Sequence, residues 1–236
     1  MIIRVGLENE TEGRSLAWAL DFPGSFAYGP DESTALLGIP QAMLRYESWV
    51  AAHTADSWIQ LGDFDIRLVD TWQVYNIDAN YREIADGYEV NAWFKDDWRP
   101  LSDEEISRGL KILSWCRMDL LAVVHNLSNQ DLDAEYPHER WSIRGILNHV
   151  ANAEWWYLDR LELTHESRQN LPDDVFTRLE FVRKETNQVL PGLVGSDQVI
   201  GKQGEFWSPR KLIRRVIWHE LDHVDHIGKL TGLKGL

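Results

Sequence analysis

The sequence has one cysteine, an excess of acidic over basic residues, and no long apolar run. The single cysteine, Cys116, excludes an intramolecular disulfide, and its helical surroundings predict a buried, unreactive thiol. There are 24 Lys and Arg against 38 Asp and Glu, and a net charge of −14 disfavours nucleic acid and anionic lipid as partners. Neither a membrane span of about 18 apolar residues nor a signal peptide is recognisable. A soluble, cytoplasmic protein is expected.

Charge and residue pattern change together near Pro100, which predicts a domain boundary there. Residues 1–100 hold 7 basic against 17 acidic residues, whereas residues 101–236 hold 17 against 21. We therefore predict an α+β chain of two domains. Residues 1–98 are expected to form a small α+β domain, and residues 99–236 an all-α four-helix bundle.

The first domain is predicted to be a sheet with one helix. Strand patterns occur in five segments, at 2–8, 15–22, 23–29, 64–75 and 88–94. Residues 31–53 predict a helix capped by Asp31 or Ser33. Its regular part is expected to begin near Pro40, because proline weakens a helix interior.

Part of this domain resembles the HicB-like antitoxin fold, a partial ribonuclease-H-like sheet with a helix across one face. The similar stretch is "LDFPGSFAYGPDESTAL", which has the strand–PG–strand–G–helix order of that fold. The resemblance implies a docking or dimerisation module without chemistry of its own. An antitoxin-like repressor is an alternative that predicts DNA binding, which the acidic charge disfavours.

From Leu101 onwards the sequence predicts four long amphipathic helices, within 102–127, 141–163, 172–190 and 207–232. Ser102 and Glu105 have the spacing of a capping box, and Ser142 and Ser208 are expected N-caps. Gly232 is the expected C-terminal stop. A basic run in the last helix is interpreted as its solvated face; it comprises Arg210, Lys211, Arg214 and Arg215.

Two of these helices carry histidines on their apolar faces. His219 and His223 are four residues apart, so their rings point the same way, one turn apart. His149 shares the inward face of its helix with Ile146 and Trp156. An i, i+4 pair with a third imidazole from a neighbouring helix is a common metal site with one open position. The alternative is a set of hydrogen-bonded core histidines.

The histidine segments, "WSIRGILNHVANAEWW" and "WSPRKLIRRVIWHELDHVDHIGKL", resemble the DinB-like (YfiT-like) superfamily of metal-dependent four-helix bundles. The resemblance implies that His149, His219 and His223 are the metal ligands. His226 stands where the family commonly has glutamine or another polar residue, which implies a hydrogen-bonding pocket wall before a fourth ligand. Further candidate pocket residues are Asp119, Trp115 and Trp156.

Three imidazoles bind several divalent ions; we expect zinc or nickel first, then iron, cobalt or manganese. Characterised members of the superfamily include thiol transferases that use glutathione, mycothiol or bacillithiol, and thiol-dependent maleylpyruvate isomerases. The resemblance therefore implies metal-assisted addition or transfer of a low-molecular-weight thiol to a small electrophilic substrate. Hydrolysis by a metal-activated water is the next hypothesis, and a non-catalytic metal-binding or stress-associated module is the competing one.

No catalytic residue and no organic cofactor site can be assigned from the sequence. Glu154 and Glu220 lie near the histidines in sequence but not on their faces, and we interpret them as partners of the ligands or as surface charges. Members of the superfamily are often dimers, and the sheet edges of the first domain offer a surface for pairing. A homodimer is therefore a further expectation.

Overall fold

A computed structural model describes residues 1–232 of the chain. Its internal contacts divide it into two compact units. The first unit contains Met1–Arg99 and Asp197–Arg214, and the second contains Pro100–Ser196 and Arg215–Leu236. The sequence did not indicate that residues 197–214 belong with the first unit. The division into domains 1–98 and 99–236 stays a prediction.

The first unit contains a four-stranded sheet. Its strands are β1 (Ile2–Thr11), β2 (Arg14–Ala19), β3 (Phe26–Gly29) and β4 (Asp65–Gln73), in the order β3-β2-β1-β4. The first three strands pair antiparallel, and β4 runs parallel to β1. Ile3, Val5 and Leu7 alternate along β1 and are fully buried, as expected for one face of a strand that packs on a core.

Helix α1 (Glu32–His53) packs on β2 and β3 of this sheet. Asp31 is its N-cap and accepts a hydrogen bond from the Thr34 backbone N–H at 2.8 Å. The helix runs through Pro40, so the expectation that its regular part begins there is wrong. The cap and the burial of Ala35 and Ile39 hold the first two turns, and these contacts outweigh the one hydrogen bond that proline removes.

The predicted strand at 88–94 is mostly absent. Only β7 (Tyr88–Glu89) pairs, in a small sheet with β5 (Asn76–Ile77) and β6 (Glu83–Ile84). Three later backbone N–H groups donate to carboxylates instead: Asn91 to Glu205 at 2.6 Å, Ala92 to Glu8 at 3.0 Å and Phe94 to Asp97 at 2.8 Å. Donors used in this way cannot join a strand ladder. The other four strand predictions are confirmed, whereas the HicB-like resemblance stays a prediction.

The second unit contains the helices α2 (Asp103–Val124), α3 (Asn129–Leu132), α4 (Ile143–Arg160) and α5 (Val175–Val189), together with the later part of α6 (Pro209–Thr231). The four long helices share one apolar core, to which they contribute Leu120, Val150, Leu179 and Val224 respectively. The predicted capping box of Ser102 and Glu105 is present, and Ser142 caps α4. Four helices around a common core confirm the helical reading of this region.

The segment before α6 forms a hairpin of β8 (Ile200–Lys202) and β9 (Glu205–Trp207), which the sequence pattern did not predict. The basic run that begins α6 is buried, so its interpretation as a solvated face is wrong. Lys211 Nζ donates to the carbonyl oxygens of Asn91 and Phe206 at 3.1 and 3.0 Å. Arg214 pairs with Asp97 at 2.7 Å. These polar partners offset part of the cost of burying Lys211 and Arg214.

Within residues 1–232, none of the helices combines the length and the apolar character that a membrane span requires.

Candidate metal centre

Three histidines from two helices converge in the second unit. His149 of α4 meets His219 and His223 of α6, and each offers a ring nitrogen within 4.8 Å of the other two. The Nε2 atoms of His149 and His219 are 2.9 Å apart. The ring centroids are separated by 4.6 to 5.1 Å. The structure thus brings together the three residues that the sequence predicted as ligands.

The helical period explains this placement. On α6, Val216, Val224 and Ile227 are buried, and the histidines of the same stripe are buried with them. His219 is 8% exposed and His223 is 9% exposed. Because residues four apart lie one turn apart on the same face, the two rings face α4 at successive levels.

Burial keeps the imidazoles of His219 and His223 uncharged. Burial lowers the pKa of His219 well below its usual value, and the neighbouring His223, His149 and Arg215 lower it further. Burial also lowers the pKa of His223 to about 3, with added repulsion from His149 and His226. His219 and His223 are therefore neutral near pH 7, which is the form that binds a metal ion.

The donor set fits a divalent ion. The Nδ1 atom of His223 is buried without a hydrogen-bond partner, which is costly for a polar atom in a protein interior. Between the two Nε2 atoms of His149 and His219 there is room for only one proton, so only one of them can donate. Two nitrogens bound at about 2 Å to one ion lie roughly 3 Å apart, close to this spacing. His149, His219 and His223 are thus suited to hold a metal ion.

Two aromatic side chains that were not among the predicted pocket residues lie beside the cluster. Trp141, which precedes the N-cap of α4, stacks on the His149 ring at 4.7 Å and 26°. The Arg140 guanidinium lies over the Trp141 ring, 4.6 Å from its centroid. Tyr157, two turns after His149 on α4, lies 6.0 Å from the His219 ring. These rings place apolar walls beside two of the imidazoles.

His226 borders the same group. Its ring lies 5.8 Å from that of His223, and its Nε2 atom lies 3.0 Å from the Glu139 carboxylate. The role of His226 as a hydrogen-bonding pocket wall stays a prediction. Three other residues were predicted to line the pocket. Trp115 is buried in α2 and Asp119 is half-buried. Trp156 packs against Tyr157 and Arg160. Their pocket roles stay predictions.

Two acidic residues near the histidines are buried in ion pairs. Glu154 and Glu220 are 2% and 1% exposed, so the interpretation of either as a surface charge is wrong. Both contact Arg117 and Arg183, which were not among the predicted site residues. A gap beside the cluster, too narrow for a water molecule, is lined by Val150, Glu154, Tyr157, Val216, His219 and Glu220.

Cys116 lies fully buried in α2, as predicted. Burial raises the pKa of its thiol well above the usual value, with a further contribution from Glu220. Since the thiolate is the nucleophilic form, this cysteine is unreactive near pH 7.

We expect the metal-free protein to lose stability as the pH falls from about 7.5 to about 5.5. An unfolded histidine gains a proton near pH 6.5, whereas His219 and His223 in the folded state do not until much lower pH. The unfolded state then binds more protons, and the free energy of unfolding falls by about 1.4 kcal/mol in total for each histidine over these two pH units. Urea denaturation in the presence of a chelator measures this slope.

The His223→Leu variant should show a smaller pH slope than the native sequence, and His125→Ala, at an exposed position, should leave the slope unchanged. Equal slopes in the native protein and the His223→Leu variant would show that this imidazole is not held neutral by burial.

Comparison with known protein families gives a match over the region that contains the three histidines. The family model described as the DinB superfamily matches residues 112–227. Among solved structures, the chain is similar to YfiT from Bacillus subtilis, described as "a probable metal-dependent hydrolase with an unusual four-helix bundle topology". The identity is 16% and the TM-score is 0.45, with 61% of this chain and 95% of that chain covered. A search of the curated proteins gives no match. The stretch that is similar to the DinB superfamily is therefore the stretch that contains all three clustered histidines.

Proposed function

We propose that the chain is a metal-dependent enzyme whose divalent ion is held by His149, His219 and His223. The convergence of three imidazoles is the observation that carries this proposal. The trio contains no carboxylate, so an ion bound there keeps its full positive charge toward an anionic ligand. When bound, the ion acts as a Lewis acid that lowers the pKa of a thiol or a water toward neutrality.

We further propose that the nucleophile is a low-molecular-weight thiol. Cys116 is buried and its thiol is held protonated, so it does not serve as the nucleophile. A thiol would have to enter as a small molecule. Trp141 and Tyr157 flank the imidazoles and would shield a sulfur atom from water.

The proposed reaction joins this thiol to an electrophilic carbon. The sulfur forms the new carbon–sulfur bond, and the carbon–leaving-group bond breaks with its electron pair retained by the leaving group. The thiol proton passes to solvent. With an unsaturated electrophile the sulfur adds without a leaving group, and the proton ends on carbon.

A conjugation assay tests the proposal. The protein, loaded with zinc or nickel, is mixed with an activated aryl halide and with glutathione, mycothiol or bacillithiol in turn. We expect conjugation with at least one thiol, lost on metal removal and reduced at least about 100-fold by His219→Ala. The His125→Ala control should retain the full rate.

The alternatives give different results in the same assay. Metal binding without conjugation of any thiol, but with metal-dependent cleavage of an activated ester, would replace thiol transfer by hydrolysis. Metal binding with neither reaction would leave a non-catalytic metal-binding module. A protein that binds no divalent ion at the three histidines would refute the proposal altogether.

A further inference from the structure

Four charged side chains meet in the interior of the second unit. They are Arg117 of α2, Glu154 of α4, Arg183 of α5 and Glu220 of α6, and we call them the buried quartet. Each side chain is at most 10% exposed. Each of the four long helices thus supplies one charge, and the charges sum to zero.

The pairing within the buried quartet is reciprocal. Arg117 donates to Glu154 at 2.8 Å and to Glu220 at 2.6 Å. Arg183 donates to Glu154 at 2.7 Å and also to Glu220. Each arginine therefore bridges both carboxylates, and each carboxylate is held between both arginines.

The remaining polar atoms of the quartet also have partners. Arg117 Nη1 donates to the Leu179 carbonyl of α5, and Arg183 Nη1 donates to the Leu113 carbonyl of α2. The Thr186 hydroxyl lies 2.7 Å from Glu154 Oε1. Burial would raise the pKa of Glu154, but Arg183 and Arg117 hold it below its usual value. Glu154 is therefore ionised.

The distribution of charge follows the distribution of the metal ligands. Both carboxylates lie on the ligand-bearing helices: Glu154 is five residues after His149 on α4, and Glu220 directly follows His219 on α6. Both arginines lie on α2 and α5, which carry none of the three histidines. Each arginine therefore ties α4 to α6 close to the level at which the imidazoles meet.

Stability alone does not account for such a network. Buried ion pairs lose most of their attraction to desolvation, and replacing a whole network by apolar residues of similar volume is often neutral or stabilising. A reciprocal bridge does fix the spacing and the axial register of the two helices that it joins. The separation of His149 from His219 and His223 depends on the same spacing.

We propose that Arg117 and Arg183 are positioning residues for the three-histidine site, acting through Glu154 and Glu220 to set the spacing of α4 and α6. The proposal rests on the proposed function, because it assigns the quartet a role toward the metal. Under this proposal, two arginines of the bundle core that are not metal ligands set the distances between the three imidazole rings.

The test is a variant that removes the whole quartet at once: Arg117→Met, Glu154→Leu, Arg183→Met and Glu220→Leu. We expect it to fold with unchanged or higher resistance to urea, but to bind Co²⁺ at least about 10-fold more weakly than the native protein. Its Co²⁺ absorption spectrum should also change, since the spectrum reports ligand geometry. A purely structural role would not move the spectrum of a folded protein.

The matched control removes an exposed ion pair of α2 by Glu104→Leu and Arg108→Met. It should leave the Co²⁺ affinity and spectrum unchanged. If the quartet variant folds and binds Co²⁺ with native affinity and spectrum, the positioning role is refuted while the metal site stands. If native protein binds no Co²⁺ at the histidines, both proposals fail.

A second variant decides the question if the quartet variant does not fold. Arg183→Lys keeps the positive charge, but an ammonium group cannot bridge Glu154 and Glu220 as the forked guanidinium does. We expect a several-fold weaker Co²⁺ affinity and a shifted spectrum. Native affinity and spectrum in this variant would overturn the positioning role.

Discussion

Replacing Glu154 alone by leucine is expected to lower the free energy of unfolding by about 3–5 kcal/mol. Glu154 accepts hydrogen bonds from Arg117 and Arg183, and without it two buried guanidinium groups share the single carboxylate of Glu220. The uncompensated positive charge has little access to water, because the two arginine side chains are only 10% and 8% exposed. Urea denaturation followed by far-UV circular dichroism measures the loss.

Glu104→Leu is the control for this replacement. Glu104 pairs with Arg108 on the exposed side of α2, and removing it should change the free energy of unfolding by no more than about 0.5 kcal/mol. If the two variants were equally stable, the buried quartet would contribute no more than a surface pair. We expect Glu154→Leu to lower the free energy of unfolding strongly and the fourfold quartet variant not to lower it. Such a contrast is expected when the four side chains are energetically coupled.

Replacing His219 by alanine is expected to weaken divalent-metal binding at least about 100-fold. Removing a ligand should cost more than removing a residue that only supports one, for which losses of about 10-fold to 100-fold are typical. His219 is also the central member of the trio, since its ring lies 4.8 Å from His149 and 4.6 Å from His223. Titration with zinc or nickel against a competing chelator measures the affinity.

His149→Ala and His223→Ala should show losses of the same order, whereas the exposed His125→Ala should bind metal as the native protein does. Retention of native affinity in any one of the three single variants would exclude that histidine from the ligand set. Equal losses in the control would indicate a general defect in folding.

The features that could be predicted from the sequence are those that local spacing decides. Ser102 and Glu105 stand three residues apart before an apolar run, and they form the predicted capping box. The ring directions of His219 and His223 follow from the turn of a helix, whatever packs against it. His149 required one further step, the assumption that inward faces of separate helices meet.

The features that could not be predicted depend on partners distant in sequence. Arg117 and Arg183 occupy inward positions of their helices, which was a visible signal, but their carboxylate partners lie 29 to 103 residues away. Lys211 and Arg214 resembled a solvated face because two of their acceptors, the Asn91 carbonyl and the Asp97 carboxylate, lie 120 and 117 residues away in sequence. Periodicity records that a position faces inward, but not which group compensates a charge there.

Diffraction from a Co²⁺-soaked crystal, measured at the cobalt absorption edge, tests the central claim most directly. We predict one anomalous peak at about 2 Å from a ring nitrogen of each of His149, His219 and His223. A bound ion located elsewhere, with no peak among these three rings, would contradict the metal centre and the function proposed for it.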